Sequence, residues 1–335
     1  MRFDFNQEFI HLMQSHSLDT VVILGHINPD GDACGCVMGL AHYIKDNYPQ
    51  IKAIPYLADT MWKGPRKLVA EDEDFDPFLL QELPERYAAI SCDTATMERM
   101  IGAELFQKAA STMAIDHHAA NEGFGDVRYI RIADSCAELL YEILDPDCLK
   151  HSTSLNTVED GKRKPTAADY IYLGILHDTD CFKRNHESTF LAAAGLRAMG
   201  VDHKYVMRTM ENDTSEDVKK KAAILEEMQV LPELRVAYVY LDREAAEKKQ
   251  IGYDDIHPIS GELRDLEDID IAFTMYEEAP GHWRFSFRSD ERIINVNELA
   301  KEFGGGGHAG AAGLRTETDQ PEQLLQEILG RIRIC

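Results

Sequence analysis

His26, Asp30 and Asp32 follow the apolar run Val21-Val22-Ile23-Leu24 within the segment His26-Ile27-Asn28-Pro29-Asp30-Gly31-Asp32. One imidazole and two carboxylates at this spacing suit a divalent cation, although a polar turn with an incidental histidine looks the same. The arrangement recurs. Ala88-Ala89-Ile90-Ser91-Cys92 runs into Asp93, Met113-Ala114-Ile115 runs into Asp116-His117-His118, and the apolar residues 171–176 run into His177-Asp178. Short apolar segments that each end in Asp or His gather ligands at the carboxyl edge of an α/β sheet. The chemistry expected of them is that of a carboxylate/imidazole metal centre.

The charge balance sharpens this expectation. Asp30, Asp32, Asp93 and Asp178 bring four negative charges together, with His26 and His117 neutral. Packed carboxylates repel one another, and some would be protonated if left alone. Two divalent cations offset all four charges, and one aspartate can bridge both. Two metals about 3.5–4 Å apart are a recurring device for in-line displacement at phosphorus. An oxygen and imidazole set without thiolate favours Mn²⁺, with Mg²⁺ or Co²⁺ as alternatives, over a structural zinc.

In order and spacing, His26-x-x-x-Asp30-x-Asp32, Asp93, Asp116-His117-His118 and Asp178 resemble the four motifs of the DHH phosphoesterases. Gly304-Gly305-Gly306-Gly307-His308-Ala309-Gly310-Ala311-Ala312-Gly313 resembles the GGGHxxAAG signature of the DHH-associated C-terminal domain. The motifs span residues 26 to 313, and their pairing looks most like the nanoRNase/pAp-phosphatase group. The resemblance implies that His26, Asp30 and Asp93 hold one metal. Asp32, Asp93, His117 and Asp178 would hold the other, with Asp93 bridging. It implies His118 as hydrogen-bond donor or proton shuttle beside the scissile phosphate, and Asp116 as the residue that fixes a tautomer. Arg288 and Ser289 match a substrate-contacting strand, and Gly305, Gly306, Gly307 and His308 match a phosphate or nucleotide pocket. The glycine run reads as a backbone nest for a phosphate. One departure is Asp180, where relatives commonly place glycine.

Composition bounds the alternatives. The 335 residues suffice for two domains, and 28% charged with 44% hydrophobic residues is ordinary globular composition. The start of the chain lacks a continuous apolar segment, so a secretory signal is not expected. No stretch approaches a bilayer span, so no membrane partner is expected. The seven cysteines (34, 36, 92, 136, 148, 181 and 335) are odd in number and form no CxxC pair, which fits reduced thiols in the cytoplasm. The expected reading is small buried residues, although Cys34, Cys36, Cys92 and Cys181 lie near the expected ligands.

With 59 acids against 35 bases the net charge is −24, a field that repels polyanions. Tight binding of long duplex DNA is not expected. A short anionic substrate, drawn in by dications and a local arginine, is. The runs Lys162-Arg163-Lys164 and Lys219-Lys220-Lys221 read as solvated faces, and the acidic residues 71–76 as a solvated loop.

The elements needed to position these residues can be read along the chain. Residues 2–15 form an amphipathic helix with Phe5, Phe9, Leu12 and Met13 on one stripe. Asp32 stands near a helix start, and Gly35 and Gly39 let that helix approach the sheet. A strand is expected at 51–57, then a turn containing Trp62, helices at 97–109 and 135–145, and a surface excursion at 146–165. Thr166 with Asp169 makes an acidic capping box for the helix that delivers Asp178. Arg99 is a weak candidate for supporting the cleft, and histidines 11, 16, 42, 151 and 203 read as ordinary polar residues. In the second half, strands are expected at 236–241, 270–275 and 282–288, with a helix at 295–303.

The expected fold is α/β: an N-terminal doubly wound, mainly parallel sheet (1–187), a helical connector (188–230), and a smaller α/β domain with a mixed sheet (231–335). The active cleft is expected between the domains. The expected function is hydrolysis of short oligonucleotides, dinucleotides or 3′-phosphoadenosine 5′-phosphate by a hydroxide bridging two metals. A homodimer is the family habit. The alternatives are a cyclic-di-AMP or pApA phosphodiesterase, a manganese pyrophosphatase sharing the first domain, and a catalytically silent nucleotide sensor.

Overall fold

Three of the four apolar runs that precede the motif residues fold as short strands, and the fourth, 171–176, lies within a helix. The computed structural model describes residues 3–121, 123–154, 163–183, 185–210, 213–290 and 292–332. The first half carries α1 (Phe5–Gln14), β1 (Thr20–Leu24), α2 (Gly31–Asn47), β2 (Lys52–Tyr56), α3 (Lys63–Ala70) and β3 (Ala88–Cys92). It continues with α4 (Ala103–Lys108), β4 (Ser111–Asp116), β5 (Val127–Ile130), α5 (Cys136–Ile143), α6 (Pro146–Ser154), α7 (Ala167–Asp178), α8 (Glu187–Ala198) and α9 (His203–Met210).

Every residue of β1 and β3 is buried, as a parallel strand covered on both faces requires. The sheet order is β2-β1-β3-β4-β5 with all pairs parallel. From β1 the chain crosses to β2 on one side, then to β3 on the other. The order therefore reverses between β1 and β3, where open α/β sheets form their binding crevice. One face packs against α1, α2 and α5, and α7 packs in turn on α2 and α5, with Phe5, Phe9, Val21, Ile23, Leu40 and Ile171 in one core. The other face gathers Val22, Leu24, Ile54, Ala89 and Phe106.

The close approach in this domain is between two helices. A Cβ on Gly35 would stand 2.4 Å from the carbonyl oxygen of Tyr170 and 2.8 Å from the nitrogen of Gly174, and one on Gly39 would stand 2.9 Å from Ile171. These two glycines therefore let α2 meet α7, not the sheet as the sequence suggested. The expected capping box is present: Thr166 accepts from the Asp169 N–H, and Asp169 accepts from the Thr166 N–H.

Two local expectations are corrected, and one is extended. The expected turn at Trp62 leads into α3, whose Pro65 falls in the first turn, where a missing N–H costs nothing. The helix expected at 97–109 is interrupted. A single 3₁₀ turn at Met97–Arg99 gives way to extended Met100, which bridges His26, and Gly102 at φ +64° precedes α4. The excursion at 146–165 opens with α6, while its residues 155–162, including Lys162, lie outside the described residues.

The second half holds α10 (Ser215–Leu225), β6 (Met228–Leu231), β7 (Val236–Leu241), α11 (Arg243–Lys249), α12 (Tyr253–Ile256) and α13 (Ile259–Arg264). It ends with β8 (Ile271–Ala279), β9 (His282–Ser289), α14 (Val296–Glu302), β10 (Gly306–His308), β11 (Ala311–Glu317) and α15 (Pro321–Ile332). The six strands run β10-β11-β9-β8-β7-β6, mixed in sense because only β7 and β8 are parallel. Phe273, Phe285, Phe287, Ile328 and Leu329 fill one face. Val239, Ile256 and Leu263 fill the other.

The chain divides into units Met1–Asn212 and Asp213–Cys335, so α8 and α9 of the expected connector fall in the first unit and α10 in the second. No helix among the described residues is long and apolar enough to cross a membrane.

Candidate metal centre

The first ligand segment is held by backbone pairing. The Ile27 N–H donates to the Arg99 carbonyl and the Ile101 N–H to the Gly25 carbonyl, so the interrupted 97–101 segment pins the loop that carries His26. Burial works to lower the His26 pKa, but Asp30 and Asp93 raise it on balance, and the Arg99 charge is felt there in the opposite sense. Arg99 thus bears on the site through its carbonyl as well as its charge.

Asp30 is the N-cap of α2, and its Oδ1 accepts from the N–H groups of Asp32 (2.9 Å) and Ala33 (3.1 Å). Asp32, in the first turn of α2, is fully buried. Its two oxygens accept from the free amides at the start of α5, Cys136 (2.6 Å) and Ala137 (2.9 Å). Two helix N-termini thus stabilise and aim this pair of carboxylates.

Asp93 follows β3 with φ +51°, a left-handed conformation that Asp tolerates better than most residues. Its N–H donates to the Ile115 carbonyl at 3.0 Å. From there its Oδ2 lies 3.6 Å from His26 Nε2 and its Oδ1 lies 3.3 Å from His117 Nε2. Asp93 therefore faces both sides of the centre. His117 Nδ1 donates to the Ala133 carbonyl at 3.1 Å, which fixes the tautomer and leaves Nε2 for a cation. That Nε2 is 3.4 Å from Asp178 Oδ2 and 3.9 Å from Asp32 Oδ2. Asp178 arrives on the last turn of α7, a helix end, not a strand end.

The six residues expected as ligands come together. His26, Asp30 and Asp93 each present a donor atom within 4.8 Å of the others, as do Asp32, His117 and Asp178. The donor set fits a cation. Asp93 Oδ1 is buried without a hydrogen-bond partner, and His26 turns its Nε2 toward Asp30 and Asp93. Burial, then repulsion from Asp178 and Asp93, pushes the Asp32 carboxyl well up. Burial and the charges of Asp93 and Asp30 also raise Asp178. Burial would lower the His117 pKa, yet Asp93 and Asp32 push it up to about 11. The carboxylates thus create a field that calls for positive charge.

His118 stands beside this set. Its Nδ1 lies 2.8 Å from Asp116 Oδ1 and 3.6 Å from Asp93 Oδ1. Asp116 is buried, and its second oxygen accepts from Asn121 Nδ2 at 2.7 Å. The Asp116 hydrogen bond raises the His118 pKa, partly against burial.

The described cysteines form no disulfide: Cys34, Cys36, Cys92 and Cys136 are buried, and Cys148 and Cys181 are half-buried. Cys335 lies outside the described residues. Burial raises the thiol pKa of each of the four, which leaves them neutral packing residues. The basic runs are paired with acids: Arg163 with Asp169, Lys164 with Glu73, Lys220 with Asp255 and Lys221 with Glu262. The acidic stretch is not wholly solvated. Asp72 is buried against His42 Nε2 and the Tyr170 hydroxyl, each at 2.7 Å, so His42 is no ordinary surface residue.

In the second unit, strand alternation puts Arg284, Ser286 and Arg288 of β9 on one face, beside Arg315, Gly313 and Ala311 of β11. Arg288 Nη1 donates to the Phe287 carbonyl at 2.9 Å. The Arg284 guanidinium stacks 3.3 Å from the centre of the Tyr253 ring, and Tyr253 senses the charges of Arg284, Arg288 and Arg315. In so acidic a chain this is a concentrated basic strip, moderated by Glu278, which pairs with Arg284 and Arg315.

The Ser289 hydroxyl donates to the Ile294 carbonyl at 2.7 Å, holding the turn before α14. The glycine run is not a nest. The N–H groups of Gly304, Gly305 and Gly307 donate to Lys301 O, Ala300 O and Asn297 Oδ1, and residues 306–308 form the edge strand β10. His308 is exposed at the end of that strand.

The sequence places His177 at the end of the fourth apolar run but gives it no role; it joins Asp30 and Asp178 in a third donor group. The sequence reading missed Arg284, Arg315 and Tyr253. The spacing of Arg284 and Arg288, four apart in an alternating strand, was the available signal for that face.

Residues 20–175 match the DHH family, N-terminal domain, and residues 233–333 match the DHHA1 domain. The chain is 28% identical over 314 residues to the bifunctional oligoribonuclease and PAP phosphatase NrnA of Bacillus subtilis, covering 92% of this chain and 94% of that protein. It is 27% identical to a Streptococcus mutans protein named "Probable bifunctional oligoribonuclease and PAP phosphatase NrnA", over 95% of this chain and 96% of that one. The crystal structure of an exopolyphosphatase-related protein from Bacteroides fragilis shares the fold, with a TM-score of 0.74 at 19% identity, covering 97% of this chain and 95% of that one.

Proposed function

Since this chain belongs to the DHH family and carries a DHHA1 domain, we propose that it hydrolyses phosphoester bonds in short oligonucleotides, dinucleotides or 3′-phosphoadenosine 5′-phosphate. The observation that carries this reading is the convergence of two donor groups, His26/Asp30/Asp93 and Asp32/His117/Asp178, with Asp93 facing both His26 and His117. Each group would hold one divalent cation, Mn²⁺ first among the candidates because imidazole stands among the oxygens. Such cations, when bound, supply charge stabilisation at phosphoryl oxygens and lower the pKa of a water nucleophile.

The side chains do the rest. Asp116 holds the His118 ring by its Nδ1, which leaves Nε2 to donate a hydrogen bond, or a proton, to a phosphoryl or leaving oxygen. Binding of the nucleotide is assigned to the basic strip of the second domain. Arg288 and Arg284 would contact phosphate, with Arg284 on Tyr253 also offering a stacking plane. The glycines of β10 present no side chain, so a ligand can lie flat against the strand beside His308. Ser289 would act through the turn it holds. The acidic remainder of the chain favours short anions over polymers.

The test is an assay of metal-stripped protein, with and without Mn²⁺, on pAp, pApA, a five-nucleotide RNA, cyclic di-AMP and pyrophosphate. Mn²⁺-dependent release of mononucleotide from pApA or of AMP from pAp is expected. Turnover confined to cyclic di-AMP or to pyrophosphate would reject the reading, and so would binding without turnover of any substrate.

A further inference from the structure

His177 is the residue of the centre that the proposed function leaves unused. It sits on the last turn of α7, one residue before Asp178, and its side chain is 13% exposed. Its Nδ1 is buried and has no hydrogen-bond partner. The nearest carboxylate oxygen, Asp178 Oδ1, lies 3.6 Å away, too far for a hydrogen bond. Leaving such an atom dry costs free energy unless something else meets it. His177 also offers a donor atom within 4.8 Å of those offered by Asp30 and Asp178, one carboxylate from each of the two ligand groups.

The surroundings make room for the ring at this place. A Cβ on Gly31 would stand 2.4 Å from the His177 Cβ and 2.5 Å from its Cγ, so only glycine at position 31 lets the imidazole lie against the start of α2. Trp62 packs edge-on against the ring, with centroids 5.2 Å apart. The ring is thus fixed from two sides, with an unsatisfied nitrogen beside a cluster of acids. A histidine that merely filled space would not need that nitrogen among the carboxylates.

We propose that His177 is a further nitrogen ligand of the metal centre, at the place where Asp30 and Asp178 meet. This rests on the reading of the site as a divalent metal centre. An added imidazole strengthens binding of Mn²⁺ and Co²⁺ far more than that of Mg²⁺, which makes little use of nitrogen donors. His177 is thereby a determinant of metal selectivity.

The test measures metal binding, not turnover. Equilibrium dialysis of wild type, His177→Ala and His177→Gln would give affinities for Mn²⁺ and Mg²⁺, and absorption spectra of Co²⁺-loaded protein would report the ligand field. Thermal unfolding in chelator identifies the folded variants, and His177→Gln, which keeps bulk over Gly31, carries the test if the alanine variant unfolds. Loss of Mn²⁺ affinity at one site by about tenfold or more, with Mg²⁺ affinity little changed and the Co²⁺ bands shifted, is expected. Unchanged Mn²⁺ affinity and unchanged Co²⁺ bands in the folded variants would overturn the role of His177 alone. A wild-type protein that binds none of these cations would overturn the metal-centre reading itself.

Discussion

Asp116 Oδ1 lies 2.8 Å from His118 Nδ1, and the second oxygen of the same buried carboxylate is held by Asn121 at 2.7 Å. The imidazole is therefore anchored at one nitrogen by a carboxylate that has nowhere else to turn. His118→Ala should lower kcat by about 10²–10³-fold, the scale of a lost general acid, while Mn²⁺ affinity stays near that of the wild type. Asp116 raises the His118 pKa, so Asp116→Asn should lower it. A step that needs protonated His118 then loses activity at lower pH than in the wild type. A kcat–pH profile whose alkaline limb does not move would show that Asp116 does not tune this histidine.

The basic strip makes a different prediction. Arg288→Ala and Arg284→Ala should each raise KM for pApA by about tenfold or more, the loss of a charge-assisted contact, with a smaller change in kcat. Arg284 should matter more for a nucleotide than for a simple phosphoester, because it stacks on Tyr253. Steady-state kinetics on both substrate types checks this. Equal effects on the two would remove the stacking role.

Stability should depend on pH through Asp72. Burial would raise its pKa, but the hydrogen bond and charge of His42, with the Tyr170 hydroxyl, hold it below the ordinary 3.8. A carboxyl lowered in the folded state contributes stability above its unfolded pKa, and that contribution fades as pH falls through the folded value. Asp72→Asn should cost about 1–3 kcal/mol at pH 7, and the gap from wild type should close below pH ~4. Urea unfolding at several pH values measures it, and a gap independent of pH would contradict the assignment.

Asp180, the departure from the family pattern, has a backbone explanation. It sits just past the end of α7 at φ +48°, and its N–H donates to the His177 carbonyl, a position that glycine fills without strain. Its carboxylate pairs with Lys183 at 3.1 Å, and both side chains are more than half exposed. Asp180→Gly should stabilise the protein by up to about 1 kcal/mol and leave Mn²⁺-dependent turnover within about twofold of the wild type, since an exposed charge this well solvated is screened. A large change in turnover would show that its charge reaches the metals.

How far the sequence led depends on what each residue needs. His26, Asp93 and His117 were legible because each follows an apolar run, and a parallel strand ends where its ligand begins. Asp178 was legible through Thr166 and Asp169, which open a helix of the right length. His177 was not, because adjacent helical residues usually point apart; only Gly31, distant in sequence, reveals where the ring goes. His42 and Asp72 are thirty residues apart in sequence, and neither periodicity nor charge pattern names a partner at that distance. The glycine run misled, because four glycines suit a nest and an edge strand equally, and only the acceptors Lys301, Ala300 and Asn297 distinguish the two.

Asp93 faces both His26 and His117, so on the proposed two-metal reading replacing it would remove a donor from each cation at once. Asp93→Asn keeps the size of the side chain and removes its charge. Paired measurement of Mn²⁺ stoichiometry and pApA hydrolysis is the most direct test of the centre. The variant should bind Mn²⁺ weakly at both sites and lose nearly all turnover. Near-normal Mn²⁺-dependent turnover by a folded Asp93→Asn protein would contradict the account.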